Sequence, residues 1–140
     1  MGPLWAEIVN FLEETRRTEI KSRSQLRDSQ IPLLSVYSGH DATLMPFLAT
    51  LGPGVWDGVW TPYASMVVIE SYFMGKPKND DVRSRTNFPS GKAFRVVYNG
   101  KILTGQICKN AGGPEEELCD LDVLLNLVKP FASFDRGERC

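Results

Sequence analysis

Apolar stripes of two different periods run along this chain, separated by polar punctuation. Leu4, Ile8, Phe11 and Leu12 recur at helical spacing, with Trp5 and Val9 beside them. Gly2-Pro3 precedes the stripe, where proline suits a first helical turn. Glu13 stands ahead of Arg17 in the order that favours a helical ion pair. Past Arg16 the apolar signal thins to Ile20, and the basic, serine-rich run to Arg27 reads as a solvated helix end or a loop. Asp28 to Pro32 is a turn, because a residue before proline is pushed out of the helical region. Leu33 to Tyr37 is a short bounded apolar run, the pattern of a buried strand. Ser38 and Gly39 break it. A second helix follows, with Leu44, Phe47, Leu48 and Leu51 on one side, and Gly52-Pro53-Gly54 ends it. Pro46 favours Thr43 as the N-cap, since proline is tolerated in a first turn but would remove a hydrogen bond if the helix began at Asp41.

Further on the period shortens. Met66 to Phe73 is rich in β-branched and aromatic residues and predicts a strand. Gly75 to Gly91 is polar, holds two prolines and has no period, so it reads as a long mobile loop. Ala93 to Tyr98 predicts another strand, Asn99-Gly100 a tight hairpin, and Ile102-Leu103 the start of its partner. Leu118, Leu121, Leu124, Leu125 and Val128 line up as a last helix, which Pro130 ends. Glu115 to Glu117 lie before it, and acidic residues suit a helix's positive end. Trp56 and Trp60 stand in a glycine-rich loop, as packing residues or as the lining of a pocket mouth.

The order is helix, strand, helix, strand, hairpin, helix, an α/β pattern without internal repeats. Its 140 residues fit one domain, residues 1–140. One buried strand still needs neighbours that the sequence hardly supplies, so the sheet is incomplete as given. A strand short of partners predicts self-association. With 42% hydrophobic and 24% charged residues and a net charge of −1, the chain shows no electrostatic footprint for nucleic acid or an anionic membrane. No apolar run is long enough to span a bilayer. Charged residues enter early without an apolar core segment, so no export signal is expected within this chain. The spacing of Cys108, Cys119 and Cys140 matches no zinc pattern, and no cofactor is implied.

Between the expected strand and the second helix sit His40 and Asp41. The exit from a strand into a helix is where open α/β sheets bind ligands, which makes the pair candidates for chemistry. A plainer reading uses the same residues: Gly39 makes the turn, Asp41 caps the helix and His40 is solvated.

V-Y-S-G-H-D-A-T, then P-Y-A-S with Glu70 and Tyr72 downstream, then a strand pair and a Cys-bracketed segment before a Leu-rich helix, resembles the C-terminal part of the histidine acid phosphatases. The resemblance runs from the Leu4 helix to Cys140. It implies the C-terminal portion of a phosphoglycerate mutase-like three-layer sandwich. It also implies hydrolysis of phosphate monoesters through a phosphohistidine. A histidine in an N-terminal R-H-G-x-R-x-P motif attacks phosphorus, while the His-Asp pair supplies a second histidine at the phosphate and an acid for the leaving oxygen. His40 and Asp41 match that pair. The chemistry is sound on its own terms, because an alkoxide leaves poorly and a positioned acid is worth about 10²–10⁴ in rate.

The sequence also departs from the family. His40 is its one histidine, and R-H-G-x-R-x-P does not occur. The resemblance therefore implies that the missing N-terminal part of the same protein is a partner. It further implies a disulfide between Cys108 and Cys119, an upstream partner for Cys140, and a parent that is extracellular, lysosomal or on the lumenal side of a membrane. The plainer reading, without the resemblance, is three unpaired thiols in a cytosolic protein. Three functions stay open: the His40/Asp41-bearing part of an acid phosphatase, an inactive phosphatase-like binding or regulatory module, and an ordinary α/β domain.

Overall fold

The computed structural model describes residues 2–17, 34–74 and 88–132. Its elements are α1 (Gly2–Arg17), α2 (Asp41–Ala49), β1 (Val67–Phe73), β2 (Lys92–Tyr98), β3 (Lys101–Ile102), α3 (Thr104–Asn110), β4 (Cys119–Asp120) and α4 (Leu121–Ala132). Helices combine with an antiparallel sheet, as the α/β reading requires. β2 is the sheet's centre, pairing with β1 along its whole length and with β3 and β4 at opposite ends. Among the described residues β1 is hydrogen-bonded on one side only.

Alternation along β2 sets the layers. Phe94 and Val96 point into the core, where Leu121, Leu124 and Val128 of α4 and Trp5 of α1 are fully buried. α1 packs along α4. The buried Lys92 donates from Nζ to the carbonyl of Thr15, so a cation meets one of the orphan carbonyls at the end of α1.

The hairpin forms where Asn99-Gly100 predicts it, with φ of 47° and 83°, the left-handed pair such a tight turn needs. Asn99 also accepts the N–H of Met66 at 2.8 Å and so fixes the entry to β1. The partner strand is shorter than expected. Leu103 N–H reaches the Val96 carbonyl at 2.9 Å, but the next acceptor for Val96 N–H is the Thr104 hydroxyl, at 2.8 Å. A side chain thus replaces the ladder, and the chain turns into α3, a helix the apolar pattern does not announce.

The last helix begins at Leu121 rather than at Leu118. Cys119 and Asp120 are drawn into the sheet opposite Phe94 and Ala93. Asp120 then starts the helix, accepting the N–H of Asp122 at 2.9 Å and that of Ser90 at 2.8 Å. The glutamates lie outside this first turn, and Glu115 pairs with Lys109 at 3.2 Å instead. α4 also continues past Pro130 to Ala132. The carbonyl this proline leaves unbonded belongs to the exposed Asn126, where water can satisfy it.

Cys108 of α3 and Cys119 of β4 form a disulfide. The pair is separated by 11 positions, and closing so short a loop stabilises by about 3 kcal/mol in the chain-entropy model. Replacing both cysteines by serine should lower the urea midpoint and steepen the denaturant slope, because the unfolded chain freed of the bridge exposes more surface. An unchanged midpoint would show that the bridge does not constrain the unfolded chain. The expected partner of Cys140 and the core of the 75–91 loop fall outside the described residues.

The strand expected over Leu33 to Tyr37 is not formed in its described part. Leu34 to His40 has neither helix nor strand, and Leu34 and Val36 are 77% and 81% exposed. A strand needs a neighbour to receive its N–H and C=O groups, and no described strand pairs with this segment.

Candidate active site

α2 is held by its buried face. Leu48 and Leu51 are fully buried, and Phe47 stacks on Trp5 with ring centroids 4.3 Å apart. Trp5 Nε1 donates to Thr50 Oγ1 at 2.9 Å, and that hydroxyl donates to the Phe47 carbonyl at 2.6 Å. The carboxyl end of α2 is thereby pinned to α1. Its amino end, with His40 and Asp41, is left at the surface.

The helix begins earlier than Pro46 suggests. His40, not Thr43, is the N-cap: its backbone is extended and its carbonyl accepts the N–H groups of Thr43 at 2.9 Å and Leu44 at 3.1 Å. Asp41 is the first helical residue, and its Oδ1 accepts the N–H of Ala42 at 2.7 Å. Pro46 thus lies inside the helix. The carbonyl deprived of a partner is that of the exposed Ala42, open to water, which makes the interruption tolerable. Gly39 allows the approach to this turn, since a Cβ there would come within 3.2 Å of the Thr43 side chain.

The result is an exposed imidazole and a half-buried carboxylate, adjacent in sequence, at the positive end of a helix. His40 makes no side-chain capping bond. Such a pair can present a cation or donor to an anion, and an acid to a departing oxygen.

Two apolar concavities flank α2. A groove of about 680 Å³ lies between α1, the 34–39 segment, α2 and the start of β1. A shallower depression of about 360 Å³ is lined by Ala42, Met45, Pro46, Ala49, Trp56 and Trp60. The sequence offered Trp56 and Trp60 as packing residues or pocket lining, and both line the depression, where Trp60 is exposed; the groove had no counterpart in the sequence reading. The signal for the groove lies in Leu34 and Val36, which alternate as a strand would but have no sheet to enter.

Glu70 and Tyr72 meet on the other face of the sheet. Arg95, opposite Glu70 across the ladder, donates from Nε to Glu70 Oε2 at 2.5 Å, and Tyr72 donates its hydroxyl to the same oxygen at 3.0 Å. The Arg95 hydrogen bond holds the Glu70 carboxyl below its ordinary range, against a smaller opposing effect of burial. Burial first, and then Glu70, push the Tyr72 phenol up. A lowered carboxyl pKa stabilises the fold above the ordinary glutamate range, and that contribution fades as pH falls through the lowered value. Glu70→Gln should therefore flatten the acid limb of a stability–pH curve measured by urea unfolding. An identical acid limb in the variant would mean the pair is broken in solution.

Among the described residues no group of three His, Cys, Asp or Glu side chains could hold a metal ion. No described helix is long and apolar enough to cross a membrane.

Against known proteins, the chain is similar to lysophosphatidic acid phosphatase type 6 of Bos taurus, at 31% identity over 98 residues. Its relatives are phosphatases. The same protein of Pongo abelii is 29% identical over 102 residues, and that of Homo sapiens 28% over 102 residues. These matches take in 70–73% of this chain but only 18–19% of each relative. The chain thus spans about a fifth of the length of the curated relatives it matches. No protein-family model and no solved structure matches it.

Proposed function

We propose that the chain is the C-terminal, His40/Asp41-bearing part of a histidine acid phosphatase that hydrolyses phosphate monoesters through a phosphohistidine. The supporting observation is the His40–Asp41 pair at the exposed amino end of α2, in a chain whose relatives are phosphatases. His40 would bear on the phosphoryl oxygens, together with the positive end of α2. Asp41, protonated, would give its proton to the leaving oxygen. The attacking histidine has to come from elsewhere, because His40 is the chain's one histidine and a single ring cannot serve two faces of one phosphate. The partner is then the N-terminal part of the same protein, and the disulfide fits an exported or lumenal parent.

A second reading, an inactive phosphatase-like binding or regulatory module, draws on the same lack of a second histidine. One experiment bears on both. The chain alone, incubated with nitrophenyl phosphate, should release no product above background, yet should bind vanadate in a His40-dependent way. Vanadate binding unaffected by His40→Ala would remove the phosphate-site role. Turnover by the chain alone that His40→Ala abolishes would show that no outside nucleophile is needed.

A further inference from the structure

We infer that the 680 Å³ groove beside α2 is the seam of a symmetric dimer, in which residues 34–38 of each copy enter the groove of the other as a β-strand. The occupant is a second copy of this chain. Two rows of unused backbone groups border the groove. The first is the 34–39 segment: among the described residues, no backbone–backbone hydrogen bond reaches Leu34 to Gly39. The second is the free edge of β1. The Met66 carbonyl accepts the Asn99 N–H at 3.0 Å, and Met74 donates its N–H to the Gly91 carbonyl at 3.0 Å. These bonds put the hydrogen-bonded pairs of the β1–β2 ladder on the even positions of β1. Val67, Ile69, Ser71 and Phe73 therefore aim their N–H and C=O groups away from β2, and Val67 and Ile69 line the groove. The groove lies between the two rows, and they do not bond each other.

A strand laid in the groove satisfies both rows at once, in the way sheet edges take up extended segments. This chain carries a segment suited to the place. Residues 34–38 have an ordinary strand length, and Leu34 and Val36 alternate with serine and tyrosine. In the single chain Leu34 and Val36 are 77% and 81% exposed. In the groove of a second copy their side chains gain an apolar floor, Ile8 and Phe11 of α1 and Phe47 of α2. No lining residue carries a formal charge, so the segment meets its own copy without like-charge repulsion. The exchange closes on itself. Across the seam the strand order is β1, the partner's 34–38, the chain's own 34–38, and the partner's β1. One twofold axis generates this order and passes between the two 34–38 segments, which run antiparallel. Every edge at the seam is used, so assembly stops at two copies. The inference does not rest on the phosphatase reading, because neither His40 nor Asp41 lines the groove.

The test is sedimentation velocity of the full chain over a wide concentration range, which should show monomer and dimer and nothing larger. Val36→Asp adds a charge, and Val36→Pro removes a backbone N–H, at a position exposed in the single chain, so neither should disturb folding. Each should weaken dimerisation at least about tenfold. Trp60→Ser, at another exposed apolar residue, should leave it unchanged. In hydrogen exchange the Val67 and Ile69 amides should slow as the dimer forms. With Cys140→Ser in the background, Ser35→Cys, Val36→Cys or Tyr37→Cys, whichever falls on the axis, should cross-link two copies on mild oxidation. Val67→Cys should not, since the two β1 strands lie three strand spacings apart, about 14 Å. A monomer at every concentration would overturn the dimer. So would a dimer that survives both Val36 variants, or one that Val67→Cys cross-links, which would set β1 directly against β1. Val67 and Ile69 amides already slow in the monomer would mean that a segment of the same chain fills the groove, and would overturn it equally.

Discussion

In the full-length phosphatase proposed here, Asp41→Asn should slow hydrolysis of alkyl phosphates by about 10²–10⁴ and that of nitrophenyl phosphate far less. An alkoxide cannot depart without a proton, while nitrophenolate hardly needs one. The substitution is a fair probe because asparagine keeps an oxygen at the Oδ1 position, where Asp41 accepts the Ala42 N–H at 2.7 Å. The start of α2 should survive it. A loss that differs between substrates therefore reports chemistry, whereas a folding defect would depress both alike. The measurement is steady-state kinetics on both substrates, after matching the circular dichroism of variant and parent. Equal losses would take the proton-donor role away from Asp41 and leave it as the first residue of a helix.

Trp5→Ala should cost about 3–5 kcal/mol of stability, the range for truncating a fully buried large aromatic. Trp5 is completely enclosed, stacks on Phe47 and hydrogen-bonds Thr50. It is also the bolt between α1 and the helix that carries His40 and Asp41. The effect should therefore reach beyond stability: at a temperature where the variant is still folded, vanadate binding at His40 should weaken as α2 loosens. Trp5→Phe keeps a ring on Phe47 and loses only the indole hydrogen bond, so it should lose far less than the alanine variant. Urea unfolding of both variants decides this. A loss below about 1 kcal/mol for Trp5→Ala would show that the stack does not hold α2 in place.

Most elements could be read from the sequence because their signals were local. The α1 stripe, the β-branched run of β1 and the Asn99-Gly100 turn each follow from spacing or from one residue's φ preference. Failures came where a distant group decided the outcome. Thr104 ends β3 because its hydroxyl takes an N–H from β2, and no local pattern encodes that. Cys119 leaves the expected helix because the sheet edge and Cys108 claim it. Leu34 to Tyr37 carries a strand's composition without a strand's partner. At the site, the sequence could single out His40 and Asp41 but misjudged their roles in the turn. It weighed the loss at Pro46 without knowing that the orphaned carbonyl faces water.

The packing of α1 on α4 has a consequence for synthesis. Arg17 and Leu121 lie 104 positions apart in the chain. At ribosomal speeds of about 5–20 residues per second, the stripe of α1 waits roughly 5–20 s for the helix that covers it. During that interval Trp5 and Leu12 have nothing from α4 to bury against. Apolar surface exposed for that long is where a nascent chain is open to aggregation.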